Sequence, residues 1–132
     1  MKNNTERTKS DITATEDFSI GVMNLISLEE HLVFSFFKSG KKEFLHIYDT
    51  VRKMRIKLMK KLLKNFDAEV WCCSKHLLSA TMRFIETGTK FLSDEKEEDS
   101  IEFYKSAFDL YSLFWFLQKI GDNNAGRIKH KS

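Results

Sequence analysis

The chain has 132 residues, of which 42% are hydrophobic and 31% charged, with no proline, twelve phenylalanines and a formal net charge of +3. This length fits one domain, and a monomer of this size can bury about two thirds of the surface of its extended chain. Because proline punctuates loops and breaks helices, its absence favours a mostly helical chain with short turns. Two adjacent cysteines, Cys72 and Cys73, are too few for a disulfide scaffold or a zinc knuckle, and we expect both to be reduced.

Residues 1–17 are polar and rich in asparagine and threonine, a composition typical of a flexible N-terminal arm. They contain no hydrophobic signal core, and we find no apolar run near the roughly 20 residues of a membrane helix. We therefore expect a cytoplasmic protein that does not contact a membrane.

The first helix is predicted from Phe18, where apolar residues begin to recur at steps of three and four. Its stripe consists of Phe18, Val22, Leu25, Leu28, Leu32 and Phe36. Gly40 then predicts the helix end and a short turn. The second helix carries Phe44, Tyr48, Val51, Leu58 and Leu62 on one stripe. Arg55 interrupts that stripe, and the helix is predicted to end near Asn65.

Asp67 is the predicted N-cap of the third helix. The stripe of this helix alternates large and small residues: Val70, Ser74, Leu77, Thr81, Phe84, Gly88 and Phe91. Small residues on a stripe that faces the core indicate close packing by another helix with bulky side chains.

The fourth helix is predicted to be capped by Ser93 or Asp94 and to begin with acidic residues, as the helix dipole favours. Its bulky stripe is Ile101, Tyr104, Phe108, Tyr111 and Trp115, with Ala107, Leu110, Phe114 and Leu117 alongside. Gly121 predicts the end of the helix, and residues 122–132 are predicted to form a flexible basic tail. Since short connections join antiparallel neighbours, the sequence predicts an all-α, antiparallel up-down-up-down four-helix bundle over residues 18–121.

No constellation of residues predicts catalysis, a metal site or a cofactor. Glu43 and His46 have the Glu-x-x-His spacing of two-metal bundles, but the motif occurs once and the helical histidines do not converge. Cys73 and His76 have the helical i, i+3 spacing, yet no oxyanion site or third orienting group accompanies them. We therefore expect a protein that is not an enzyme, with no bound metal; a metal-binding bundle is the less favoured alternative.

Basic residues concentrate in the second helix, with nine basic and two acidic side chains over residues 41–65. The candidate basic patch is Lys57, Lys60, Lys61 and Lys64, at a pole shared with the basic C-terminal tail. Such a pole could neutralise the phosphates of a nucleic acid or bind an acidic protein. A solvated lysine-rich face is the competing interpretation.

Apolar residues exceed the arc of about 100° that one bundle position buries, both at 113–117 and at 34–37. Since aromatic residues are enriched in interface cores, the sequence predicts an interface made by the first and fourth helices. The candidate residues are Phe34, Phe37, Phe114, Trp115, Phe116 and Leu117. A wider core or the N-terminal arm could also cover them. The predicted function is a non-enzymatic interaction module that forms a homodimer or another homo-oligomer; a nucleic-acid-associated protein is the alternative.

Overall fold

The computed structural model describes the backbone of residues 9–63 and 67–131, and the side chains of residues 13–63 and 67–120. Over these ranges the chain forms four α-helices and no strand. They are α1 (Lys9–Ser39), α2 (Glu43–Leu62), α3 (Ala68–Ser93) and α4 (Glu97–Lys131). The predicted all-α, four-helix fold is confirmed.

Two of the predicted helix boundaries are set by the residues that the sequence indicated. Gly40 ends α1 with a φ of 71°, a left-handed conformation that glycine adopts without strain. Its backbone N–H donates to the carbonyl of Phe36 at 2.6 Å. Asp67 caps α3, because its carboxylate accepts hydrogen bonds from the N–H groups of Glu69 and Val70.

The predicted cap of the fourth helix is wrong. Ser93 is the last residue of α3, and the backbone N–H of Asp94 closes that helix by donating to the carbonyls of Lys90 and Phe91. Glu95 then turns the chain with a φ of 61°, and α4 begins at Glu97. The predicted acidic first turn is present over residues 97–99.

Both outer helices are longer than predicted. The first begins at Lys9, within the predicted arm, and the fourth continues to Lys131, across the predicted tail 122–132. No proline interrupts either extension, and a glycine inside a helix costs only about 1 kcal/mol relative to alanine. The second helix is shorter than predicted, since α2 ends at Leu62 and not near Asn65. Residues 1–8, 64–66 and 132 lie outside the described residues, and the flexibility of the two terminal segments stays a prediction.

The helices pack in three pairs over the described ranges: most extensively α3 with α4, then α1 with α2, then α1 with α3. Side-chain contacts show that α3 and α4 are antiparallel. Near the start of α3, Ser74 accepts a hydrogen bond from Gln118, whereas near its end Thr89 bonds to Tyr104. These contacts are consistent with an antiparallel bundle, and the up-down-up-down order stays a prediction.

The core lies where all four helices supply apolar side chains. Its fully buried members are Val22, Met59, Leu63, Leu78 and Phe114, with Met23 and Ile26 almost as deep. Val22 and Leu32 of the predicted α1 stripe and Val70 of the predicted α3 stripe are buried, whereas Leu28 of the α1 stripe is exposed.

The small residues of the α3 stripe are buried because α4 approaches them closely. Ser74, Thr81 and Gly88 are all buried. A Cβ atom at Gly88 would lie 2.7 Å from the ring of Tyr104 and 3.2 Å from the carbonyl of Ser100. The predicted close packing of a bulky helix against this stripe is confirmed, and Tyr104 of α4 is the bulky partner at Gly88.

A buried ion pair joins α1 to α2. The guanidinium of Arg55 donates two hydrogen bonds to the carboxylate of Glu29, at 2.8 and 2.9 Å. The Arg55 side chain is 3% exposed and that of Glu29 8%. Arg55, which interrupts the apolar stripe of α2, is therefore a buried charge whose partner, Glu29, lies on the facing helix α1.

Candidate functional site

The buried side of α4 differs by one residue from the side that the sequence indicated. Ile101 and Phe108, two residues of the predicted bulky stripe, are exposed. Ser100 and Ala107, each one residue earlier in the chain, are buried instead. Phe114, seven residues after Ala107, is buried on the same side of the helix. Small side chains face α3 at the first two of these positions.

The predicted interface residues divide into three groups. Phe34, Phe37 and Phe116 are exposed, with 57%, 77% and 58% of their surface accessible. Trp115 and Leu117 are half-buried. The prediction for Phe114 is wrong. This residue is fully buried in the core, where the centroid of its ring lies 4.9 Å from the centroid of the Trp115 ring. Phe114 is therefore a core residue and cannot belong to an interface on this surface.

The exposed apolar residues of α4 define a candidate docking surface, which we call the outer face of α4. It consists of Ile101, Phe108, Leu113 and Phe116, each at least half exposed. At 100° per residue these four side chains fall within an arc of about 140°. Between them an exposed ion pair joins Lys105 to Asp109 at 2.7 Å. The sequence indicated Phe116 but placed Ile101 and Phe108 in the core.

An apolar groove of about 290 Å³ adjoins the outer face of α4. It lies between α1, α3 and α4, and its walls include Ile20, Ile85 and Phe108. Phe108 is thus both a member of the outer face and a wall of the groove. The hydroxyl of Tyr111, another wall residue, is hydrogen-bonded to Ser19 at 2.7 Å, so the groove offers mainly hydrocarbon and aromatic surface.

Three residues of the candidate basic patch, Lys57, Lys60 and Lys61, are exposed on α2. None of the three forms an ion pair with any residue that the structure describes. Lys64 and the side chains of the C-terminal tail lie outside the described residues, so the predicted common pole stays a prediction.

The histidines and cysteines considered for chemistry lie at the surface. His31, His46 and His76 are exposed on three different helices, and Cys72 and Cys73 are exposed free thiols on α3. Within the described side chains, no group of three histidine, cysteine, aspartate or glutamate residues could hold a metal ion.

The segment Thr13–Ser39 of α1 is long and apolar enough, by length and composition, to cross a membrane, and an 18-residue stretch within it has a mean hydropathy of 1.3. Core helices of soluble proteins meet the same criterion. This segment supplies Val22, Met23 and Ile26 to the core and places Glu29 in the buried ion pair. The expectation of no membrane contact stays a prediction.

Comparisons with protein-family models, curated proteins and solved structures give no match for this chain. The function is therefore inferred from the chain's own residues.

Proposed function

We propose that this protein is a non-enzymatic interaction module that forms a homodimer, in which the outer face of α4 contacts the same face of a second copy. The observation that carries the proposal is the exposure of four large apolar side chains, Ile101, Phe108, Leu113 and Phe116, on one side of one helix. Fully burying an exposed side chain of this size contributes about 1.5 to 3 kcal/mol, and these four, which are half to two thirds exposed, would each gain about half of that. Covering the outer face is therefore favourable.

Nothing within the described chain covers this face. The opposite side of α4 packs against α3 through its small residues, including Ser100 and Ala107. The outer face has two phenylalanines, a residue type enriched in interface cores, and the charges of Lys105 and Asp109 between its apolar residues are already paired with each other. Symmetric dimers, in which one patch contacts its own copy, are the commonest soluble oligomers.

The charges of α4 favour an antiparallel pairing of the two copies. Residues 97–109 contain five acidic side chains and one basic one, whereas residues 110–131 contain one acidic and four basic. A two-fold axis that crosses the helix brings the acidic half of one copy to the basic half of the other. Acidic residues near the start of a helix and basic residues near its end also stabilise the single helix through its dipole. The antiparallel pairing of two copies therefore has a separate test.

Sedimentation equilibrium tests the proposed dimer. We expect the wild-type chain to have the mass of a dimer at micromolar concentration. The double substitution Phe108→Ser, Phe116→Ser removes two aromatic side chains from each copy and is expected to give a monomer, because the dimer loses four contacts of about 1 kcal/mol each and each 1.4 kcal/mol is tenfold in affinity.

Ile47→Ser is the matched control, because Ile47 is exposed to the same degree as Leu113 but lies on α2. We expect this variant to remain a dimer. Phe34→Ser, Phe37→Ser tests the aromatic end of α1 in the same way. A wild-type chain that is a monomer contradicts the proposal. If only the Phe34→Ser, Phe37→Ser variant is a monomer, the interface lies at the end of α1 and not on the outer face of α4.

A second candidate function, binding of nucleic acid, is favoured by the exposed charges of Lys57, Lys60 and Lys61 on α2, which have no ion-pair partner in the part of the chain that the structure describes. Three phosphate contacts would give affinity that falls steeply with salt. We expect co-migration with RNA in gel filtration at low salt, lost when these lysines and Lys64 are changed to Glu. The control changes Lys90 and Lys96 to Glu and should keep binding; absence of binding to the wild-type chain at low salt removes this candidate.

A further inference from the structure

A polar cleft of about 260 Å³ lies between α1, α2 and α3, away from the outer face of α4. Six polar side chains line it: Glu29, Glu30, Tyr48, Lys75, His76 and Ser79. Ile26 and Val33 of α1 complete its walls with hydrocarbon surface. The cleft therefore combines charged groups from two helices with an apolar wall.

Both carboxylates of the cleft already have cationic partners. The carboxylate of Glu29 takes two hydrogen bonds from the buried guanidinium of Arg55. The carboxylate of Glu30 lies 3.6 Å from the guanidinium of Arg83, where both side chains are partly exposed. The two negative charges are thus balanced by two arginines.

The remaining polar groups of the cleft lack partners among the residues that the structure describes. Among the described residues, nothing forms a hydrogen bond or ion pair with the ammonium of Lys75, the imidazole of His76 or the hydroxyls of Tyr48 and Ser79. All four groups can donate hydrogen bonds. The ammonium of Lys75 carries a formal positive charge that no carboxylate of the cleft balances. A half-buried cation beside three further donors is an arrangement that stabilises a negatively charged oxygen.

We propose that this cleft binds a small organic oxyanion, a short-chain carboxylate or a phosphate monoester, whose charged oxygens contact Lys75 and His76. The cleft volume of about 260 Å³ limits the ligand to a small molecule. The hydrocarbon part of the ligand packs against Ile26 and Val33. This proposal is independent of the proposed dimer.

Titration of the full-length protein followed by backbone amide NMR tests this site. The two probes are inorganic phosphate and butyrate, each added at constant ionic strength with chloride as the balancing anion. We expect saturable shifts of amides around the cleft with at least one probe. Tighter binding of phosphate assigns the ligand class to phosphate monoesters, and tighter binding of butyrate assigns it to carboxylates.

Lys75→Met removes the charge and keeps the length of the side chain, and we expect it to weaken binding about tenfold or more, the effect of losing one hydrogen bond to a charged group. Lys90→Met is the control, because Lys90 is exposed near the end of the same helix. Its affinity should equal that of the wild-type chain. His76→Gln, at an exposed position, gives a second variant of the site and should also weaken binding.

Glu30→Gln is expected to change the affinity for the oxyanion in the opposite direction to Lys75→Met. Removing this negative charge from the cleft should strengthen oxyanion binding several-fold, since like charges repel at short range. The proposal is overturned by any of three results: no saturable binding of either probe at millimolar concentration, equal affinity in Lys75→Met, or weaker binding in Glu30→Gln.

Discussion

At the scale of single residues, the pair formed by Glu29 and Arg55 is a strong constraint on how α1 and α2 pack. Both side chains are almost completely buried, and two hydrogen bonds hold them in one geometry. Removing one charge would leave the other buried without a partner, which costs much more than the intact pair contributes. The pair thus fixes which turns of α1 and α2 face each other.

Arg55→Met is expected to lower the free energy of unfolding by about 3 to 5 kcal/mol, because it leaves the Glu29 carboxylate buried and unpaired. The double variant Glu29→Met, Arg55→Met should recover most of that loss, since two apolar side chains replace the two charges. Urea denaturation monitored by circular dichroism measures both. A single variant as stable as the wild-type chain, or a double variant no better than the single one, contradicts this account.

At the scale of helices, the contact between α3 and α4 depends on residues without large side chains. Gly88 lies opposite Tyr104, at a distance that leaves no space for a further carbon atom. Gly21 lies inside α1, and a Cβ there would meet nothing within 4 Å. The same substitution at these two glycines therefore tests close packing separately from helix propensity.

Gly88→Ala is expected to destabilise the protein by about 1 to 2 kcal/mol, because the clash with Tyr104 outweighs the gain in helix propensity. Gly21→Ala should stabilise it by about 0.5 to 1 kcal/mol, since only the propensity changes. Thermal and urea unfolding of the two variants provide the comparison. Equal effects of the same sign would show that α4 does not pack tightly against Gly88.

The helices and two of their caps were predictable from local patterns, because Asp67 and Gly40 act on their own backbone neighbourhood. The rotation of α4 about its own axis was not predictable in this way. Hydrophobicity favours Ile101 and Phe108 as core residues, whereas the structure buries Ser100 and Ala107 and brings the Ser100 carbonyl close to Gly88 of α3.

The candidate sites were less predictable than the fold. The partner of Arg55 could not be identified from the chain, because Glu29 lies 26 residues away and only packing of the two helices joins them. The same holds for the polar cleft, whose residues come from three helices. The interruption of an apolar stripe by Arg55 was the signal that could have led to the buried pair.

At the scale of the whole molecule, the four helices form a core that leaves one side of α4 apolar and exposed. Pairing of two outer faces would bury Phe108, Leu113 and Phe116 of both copies around a two-fold axis. In the antiparallel arrangement a residue near the axis lies opposite itself in the second copy. If the axis passes midway between Phe108 and Phe116, the exposed residue Ser112 is such a position.

Disulfide cross-linking at Ser112 shows whether two copies pair through the outer face of α4. In a chain with Cys72→Ser and Cys73→Ser, the additional change Ser112→Cys is expected to give a covalent dimer under mild oxidation with oxidised glutathione. Thr50→Cys in the same background places the thiol at an exposed position on α2 and should stay monomeric. Cross-linking at position 112 no faster than at position 50 would contradict pairing through the outer face of α4.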